Sequence, residues 1–224
     1  MNYKKIINNL KNHLIDTTAI LAEGTPISAA VEVSSGMSVS ASMNTRILMA
    51  GLNYCGLGYI FSKGRDISRY FFGITNDAPE RTQFIHDSLY ATMFSLAISP
   101  PIYTISQTLS GENLDWYKIG TATASISVAS FFNGGPVSYS IDVFRDLTGR
   151  KECERPSYPK ALKKQSPNIK KVIAVGLIAA SIGTMGLIYS LAPTKHLVNA
   201  RTEKEHALTT ERPSHKLEKE LYFY

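Results

Sequence analysis

The chain has 224 residues, a formal net charge of +6 at pH 7, a pI near 9.2 and 44% hydrophobic residues. Nucleic-acid binding is disfavoured, because the basic residues form separate clusters that are not interleaved with aromatic residues. The sequence contains two distant cysteines, no metal-ligand spacing and no nucleotide-binding, serine-hydrolase or zinc-protease motif. We therefore predict no metal, no cofactor and no enzymatic activity.

Charged residues are distributed unevenly along the chain. Three stretches contain no Asp, Glu, Lys or Arg, at residues 88–111, 119–141 and 172–194. Each has about the 20 residues needed to cross roughly 30 Å of hydrocarbon. A shorter stretch, Ile47 to Ser62, is flanked by Arg46 and Lys63. This pattern predicts an all-α integral membrane protein, and the alternative is a soluble helical domain with several buried helices.

In chain order, the first predicted segment is a basic cytoplasmic N-terminus at residues 1–13. A four-helix membrane domain follows at residues 14–147, with helices near 14–33, 46–62, 88–108 and 116–144. Lys and Arg are frequent in the segments expected inside the cell, and the segment at residues 33–45 has no charge. The positive-inside rule then places the N-terminus in the cytoplasm and gives a multi-pass topology in the inner membrane.

The C-terminal third is predicted to add three segments. Residues 148–171 form a basic, proline-bearing linker, and residues 172–193 contain the most hydrophobic run of the chain. That run predicts a fifth, C-terminal transmembrane helix after the four-transmembrane-helix bundle. Residues 194–224 are charged and lack periodic apolar residues, which predicts a disordered tail.

Several charged residues are expected at the cytoplasmic ends of these helices, namely Asp16, Arg65, Asp66, Asp87, Asp142 and Arg145. Charges at such positions are costly unless they pair or face water, so they are candidates for a functional role. The alternative is that they form interfacial salt bridges that fix helix register. Glu32 is expected near the outer end of the first helix, as an outer gate or an interhelical hydrogen bond. Glu23 is the deepest carboxylate of the predicted bundle.

The fourth predicted helix is rich in small residues. Gly134 and Ser138 are four residues apart, which favours close helix contact within one subunit or between two.

Several blocks of the sequence occur in the order "DTTA", "EVSSGMS" followed by Ser42 and Arg46, then "GRD", "SPPIY" and "SYSIDVFRD". Over residues 16–147 this arrangement resembles the AlaE-type L-alanine exporter family. The resemblance implies a four-helix inner-membrane protein that exports L-alanine, driven by the proton gradient. Glu23 is not a family feature, Ser138 replaces a family glycine, Pro100 is extra, and the fifth helix and tail are additions. These departures bear on the substrate more than on the fold.

The leading hypothesis is a proton-driven exporter of L-alanine or a similar small neutral amino acid, which works in the lipid bilayer as a homo-oligomer. Arg65 or Arg145 would bind the substrate carboxylate, Asp16 or Asp142 the ammonium group, and Glu32 or Asp16 the proton. The full set assigned to the substrate or proton pathway is Asp16, Glu32, Arg46, Arg65, Asp66, Asp142 and Arg145. Close helix packing is assigned to Gly36, Pro101, Gly134 and Ser138. The alternative is a non-transporting membrane scaffold or assembly subunit that packs through its small-residue helix.

Overall fold

The computed structural model describes residues 3–75 and 78–192, and within them every regular element is helical. The α-helices are α1 (Tyr3–Ser34), α2 (Val39–Leu52), α3 (Gly58–Phe71), α4 (Glu80–Leu109), α5 (Trp116–Leu147), α6 (Lys160–Lys163) and α7 (Pro167–Leu191), and a π-helical turn (Asn53–Leu57) joins α2 to α3. The all-helical fold class is thus confirmed. The tail predicted at residues 194–224 lies outside the described residues.

The helices are longer than the uncharged stretches that predicted them. α1 begins at Tyr3 and includes most of the basic N-terminal segment. α4 begins at Glu80, so Asp87 lies inside this helix and does not precede it. α5 begins at Trp116 as predicted, because the Asp115 carboxylate accepts a hydrogen bond from the Lys118 backbone N–H at 3.1 Å and caps the helix.

α2 and α3 together form one long helical segment that is bent at its centre. α2 and α3 are joined through the π-helical turn, in which Gly56 has φ 134°. A residue with a Cβ is strained in that conformation, so glycine allows the bend. At the start of this segment, the Ser38 hydroxyl accepts a hydrogen bond from the Ala41 N–H and caps α2.

α5 is the central helix of the packing, and it lies along both α4 and α1. A Cβ built on Gly134 would lie 2.7 Å from the Asp87 carbonyl oxygen and from the Ser88 Cα. The small residue is therefore needed where the α4 and α5 backbones approach closely, inside one chain. Pro100 and Pro101 are accommodated within α4, as predicted.

Polar and apolar side chains share the interior of the bundle, and many large apolar side chains lie on its surface. Among the described residues, nineteen buried side chains are polar or charged and twenty are apolar, and Asp16, Glu32, Arg65, Asp87 and Ser138 are each at most 4% exposed. Large apolar side chains face outward, among them Ile47, Ile60, Leu89, Met93, Val128 and Phe132. Large exposed apolar areas are typical of surfaces that contact lipid or a partner.

Among the described residues, one helix has the length and the apolar composition to cross a membrane, namely α7. It coincides with the predicted fifth crossing at residues 172–193. The other long helices fall short in hydropathy because Ser, Thr, Gly and buried charged residues replace much of their Leu and Ile.

Candidate functional site

One end of the bundle holds a dense group of buried or half-buried charges, which we name the ionic cluster. Its members come from α1, α3, α4, α5 and the segment before α6, and they are Asp16, Arg65, Asp66, Arg69, Glu80, Asp87, Asp142, Arg145 and Arg155. All six residues predicted at the cytoplasmic helix ends belong to it. The end of α1, the start of α2 and the end of α4 lie at the opposite end of the bundle.

Within the ionic cluster, α1 is joined to α5 by a bidentate pair. Arg145 Nε lies 2.7 Å from Asp16 Oδ1, and Arg145 Nη2 lies 2.5 Å from Asp16 Oδ2. Arg145 also approaches Asp142 at 3.6 Å and Asp66 at 3.8 Å. Among the described residues, Arg145 is the only cation bonded to Asp16. The two partners are therefore not equivalent, since the guanidinium has three carboxylates and the Asp16 carboxylate has one guanidinium.

Arg65 is the most deeply buried cation of the cluster, at 1% exposure. Its guanidinium donates to Asp66 at 2.8 Å and to the Ser138 carbonyl oxygen at 3.1 Å, and it lies 3.5 Å from Asp142. A guanidinium has five N–H donors and tolerates burial only when they are paired. Arg65 thus links α3 to α5 and has few donors left for a ligand.

Asp87 is fully buried and holds α3, α4 and the linker together. Arg69 Nε donates to Asp87 Oδ1 at 2.8 Å, and Arg69 Nη2 bonds the second oxygen. Arg155 Nη2 lies 3.4 Å from the same carboxylate, and His86 Nδ1 lies 3.1 Å from it. The sequence predicts Asp87 at this end of the bundle but neither of its arginine partners.

Three members of the cluster were not predicted, namely Arg69, Glu80 and Arg155. Arg69 follows Arg65 by four residues and shares its helix face, so helical spacing was a usable signal. Arg155 lies in the linker, and its Nε donates to Asp142 at 2.7 Å while its Nη1 lies 3.3 Å from Glu80. No local pattern predicts that a linker residue enters the bundle.

The linker is fixed to the bundle by further contacts. The Tyr158 hydroxyl donates to Asp146 at 2.6 Å, and Lys170 Nζ donates to the same carboxylate at 2.7 Å. Cys153 is 2% exposed, and burial raises the pKa of its thiol. The predicted linker is therefore a packed part of the structure.

A second polar site, which we name the Glu32 site, lies at the opposite end of the bundle. Glu32 is fully buried; it accepts a hydrogen bond from the Ser42 hydroxyl at 2.7 Å, bonds the Arg46 guanidinium and hydrogen-bonds the Tyr103 hydroxyl. The Tyr189 hydroxyl of α7 lies 3.1 Å from the Ser42 oxygen. Glu32 thus makes interhelical hydrogen bonds from α1 to α2 and α4, and α7 is tied to the same site.

A cavity of about 130 Å³ lies between the two sites, and residues of α1, α2, α3, α4 and α5 line it. Its polar lining consists of Thr25, Ser28, Arg46, Asn53, Ser95, Ser130 and Asn133. At the far side of the ionic cluster, Arg65, Asp66, Arg69, Asp142 and Arg145 face an open hollow of about 780 Å³. The cavity thus has a mainly apolar lining with a few polar side chains, between the two polar sites.

Two of the four predicted packing residues have other roles. Gly36 has φ 85° in the turn after α1, and a Cβ built there meets no atom within 4 Å, so its glycine is explained by the turn. Pro101 is exposed on α4. Ser138, like Gly134, is buried in the helix contact, as assigned. Assigning Gly36 and Pro101 to close helix contact was wrong, since neither is enclosed by a neighbouring helix.

Over residues 3–75 and 78–192, no group of three or more His, Cys, Asp or Glu side chains is arranged to hold a metal ion. Comparisons of the chain with protein-family models, curated proteins and solved structures find no match. The resemblance to the AlaE-type family therefore stays a prediction.

Proposed function

We propose that the protein exports a small neutral amino acid, L-alanine first, across the inner membrane as a multi-pass protein with its N-terminus in the cytoplasm. The observation that carries the proposal is the cavity between two ionic sites, inside a bundle with an apolar exterior. The ionic cluster would then be the cytoplasmic gate and the Glu32 site the outer gate.

The spacing of the two sites supports a position in the bilayer. Asp16 and Glu32 are sixteen residues apart in α1, about 24 Å along a helix axis. Lys170 and Tyr189 of α7 contact the two ends of the bundle and are nineteen residues apart, about 28 Å. Both lengths approach the roughly 30 Å of a hydrocarbon core. Outward-facing Ile, Leu, Met, Val and Phe side chains between the ends suit lipid contact.

The size of the cavity supports a small substrate. An engineered protein cavity of about 150 Å³ holds benzene, which has as many non-hydrogen atoms as L-alanine. The cavity here has about 130 Å³, which is room for L-alanine. Its mixed polar and apolar lining suits a zwitterion with a single methyl side chain.

Transport requires that the gates open in turn. The Asp16–Arg145 and Arg65–Asp142 contacts join different helices at the cytoplasmic end, and the Glu32–Ser42 and Glu32–Tyr103 contacts join different helices at the outer end. Protonation of a gate carboxylate would weaken its ion pair, which is the step that a proton gradient can drive.

The scaffold alternative rests on the small-residue surface of α5. The small-residue surface around Gly134 contacts α4 of the same chain, so it is not free to bind a separate subunit. A homo-oligomer, if formed, would use another face of the bundle.

The test is an efflux assay in cells that lack their own alanine exporters. Cells are loaded with the dipeptide L-alanyl-L-alanine, and intracellular free alanine is followed with and without the protein. We expect lower intracellular alanine with the protein, and an uncoupler of the proton gradient should abolish the difference. Equal alanine levels at verified membrane expression would refute the proposal.

Variants extend the test to the gates. We expect Asp16→Asn, Glu32→Gln and Arg65→Gln each to reduce efflux at equal expression. Arg81→Gln is a matched control, because Arg81 is exposed on α4 and lies outside both sites. If all three gate variants keep full efflux, the ionic sites have no part in transport.

A further inference from the structure

The cavity is lined by an arginine, Arg46, that lies outside the ionic cluster. Among the described residues that line the cavity, Arg46 is the only charged one, and its side chain is 12% exposed. Its Nη2 bonds Glu32, but its Nε is buried and has no hydrogen-bond partner among the described residues. The Nη1 of Arg46 also has no partner among the described residues, and unlike Nε it is not buried, so this end of the guanidinium is open to a ligand in the cavity.

The arginines predicted to bind a substrate carboxylate are less suited to it. Arg65 bonds Asp66 and the Ser138 carbonyl oxygen, and Arg145 makes a bidentate pair with Asp16. A substrate at either one would have to displace a carboxylate already bound. Arg46 can bind an anion without breaking an existing pair.

Glu32 has the role of holding Arg46 in place. Ser42, Tyr103 and Arg46 all donate to Glu32, so this carboxylate is fixed and its charge is matched. The pair is neutral overall, and a zwitterion adds no net charge to the cavity. The guanidinium therefore attracts a ligand carboxylate locally without making the cavity a general anion site.

The rest of the cavity offers acceptors for an ammonium group. Asn53 Nδ2 donates to the Met49 carbonyl oxygen at 2.7 Å, which leaves Oδ1 as an acceptor. Asn133, Thr25 and Ser28 also line the cavity. A carboxylate at Arg46 and an ammonium group among these oxygens is the arrangement that an α-amino acid requires.

We propose that this cavity is the amino-acid binding site and that the Arg46 guanidinium, through its unpaired Nη1, binds the α-carboxylate. The inference rests on the proposed function for the identity of the ligand. In this proposal the amino acid binds in the middle of the bundle, and the ionic cluster acts only as a gate. It also assigns the ligand class: small α-amino acids with a free carboxylate.

The experiment compares L-alanine with L-alaninamide, which lacks the carboxylate, by calorimetric titration of the purified full chain in detergent. Wild type should bind L-alanine at least about tenfold more tightly than the amide, since a charge-assisted hydrogen bond is lost. Arg46→Gln should remove that preference, and Arg46→Lys, which keeps the charge beside Glu32, should weaken L-alanine binding about tenfold. Arg81→Gln should bind as wild type.

A second variant tests the location without touching the charge pair. Gly24 lines the cavity, and a Cβ built on it meets no atom within 4 Å, so Gly24→Leu adds side-chain volume without a backbone clash. We expect it to fold and to lose L-alanine binding, whereas Gly51→Leu, also without a neighbour within 4 Å, should bind normally.

The outcomes separate the inference from the proposed function. If the dipeptide assay shows efflux but Arg46→Gln keeps the preference for L-alanine over its amide, the carboxylate binds elsewhere and the inference is wrong. If Gly24→Leu folds and binds L-alanine normally, the cavity is not the site. If wild type shows no efflux and no L-alanine binding, the proposed function itself fails.

Discussion

Replacing Arg145 should destabilise the protein far more than replacing its partner Asp16. The Asp16 side chain is 5% exposed and has one described cation, so Arg145→Gln leaves a buried carboxylate without a counter-charge. Breaking a buried pair in this way costs about 3–5 kcal/mol. In Asp16→Asn, Arg145 keeps Asp142 at 3.6 Å and Asp66 at 3.8 Å. That variant should therefore lose only about 1–2 kcal/mol, the scale of one buried hydrogen bond.

The double variant Asp16→Asn/Arg145→Gln supplies the decisive comparison. It contains no unpaired charge at this position, so it should be more stable than Arg145→Gln alone, with a coupling free energy of about 2–3 kcal/mol. Thermal unfolding of the four proteins in one detergent, followed by circular dichroism, measures all three differences. If the two single variants lose equal stability, the predicted difference between Arg145 and Asp16 is absent. If their losses add up in the double variant, the two residues are not coupled.

Three further predictions concern packing, backbone and the linker. Gly134→Ala should cost about 1–3 kcal/mol, because its Cβ meets the α4 backbone at 2.7 Å, whereas Gly120→Ala on the same helix meets nothing and should be neutral or stabilising by up to about 1 kcal/mol. Gly56→Ala should cost about 1–3 kcal/mol, since φ 134° strains any residue with a Cβ. With the other cysteine replaced, Cys153 should react slowly with N-ethylmaleimide at pH 8, because burial raises its pKa and excludes the reagent. Arg155→Ala, which releases the linker, should accelerate the labelling.

Each of these three predictions has a result that would contradict it. Equal melting temperatures for the two α5 glycine variants would mean that α4 and α5 do not approach as closely as described. An unchanged melting temperature for Gly56→Ala would place the bend elsewhere. Labelling of Cys153 at the rate of a free thiol in the otherwise intact chain would mean that the linker is not docked.

The helices and the ionic cluster could be predicted in outline from the sequence. Successive antiparallel helices bring their alternate ends together, so charges placed at one end of each helix must meet. Asp142 and Arg145, three residues apart, do share a face and lie 3.6 Å apart. The first and last residues of the helices were less predictable, because helices continue through polar residues wherever backbone hydrogen bonds and packing support them.

The residues that sequence reasoning missed depend on tertiary contacts. Arg155 reaches the cluster only because the linker folds back, and no periodicity encodes that. The role of Gly36 is hard to predict, because a turn with positive φ and a close helix contact both select glycine and the residue type alone does not distinguish them. Arg46 was included only through the family resemblance, and its position in the cavity could not be derived from its spacing.

The four-helix unit does not balance its own charge. The ionic cluster has five carboxylates and four guanidiniums, and one of the four, Arg155, is supplied from beyond the end of α5. A chain cut just after Leu147 would keep five anions and three cations close together at this end of the bundle. Shortening this protein to its bundle is therefore an electrostatic change as much as a loss of sequence, and a minimal version would need a cation restored or an acid removed.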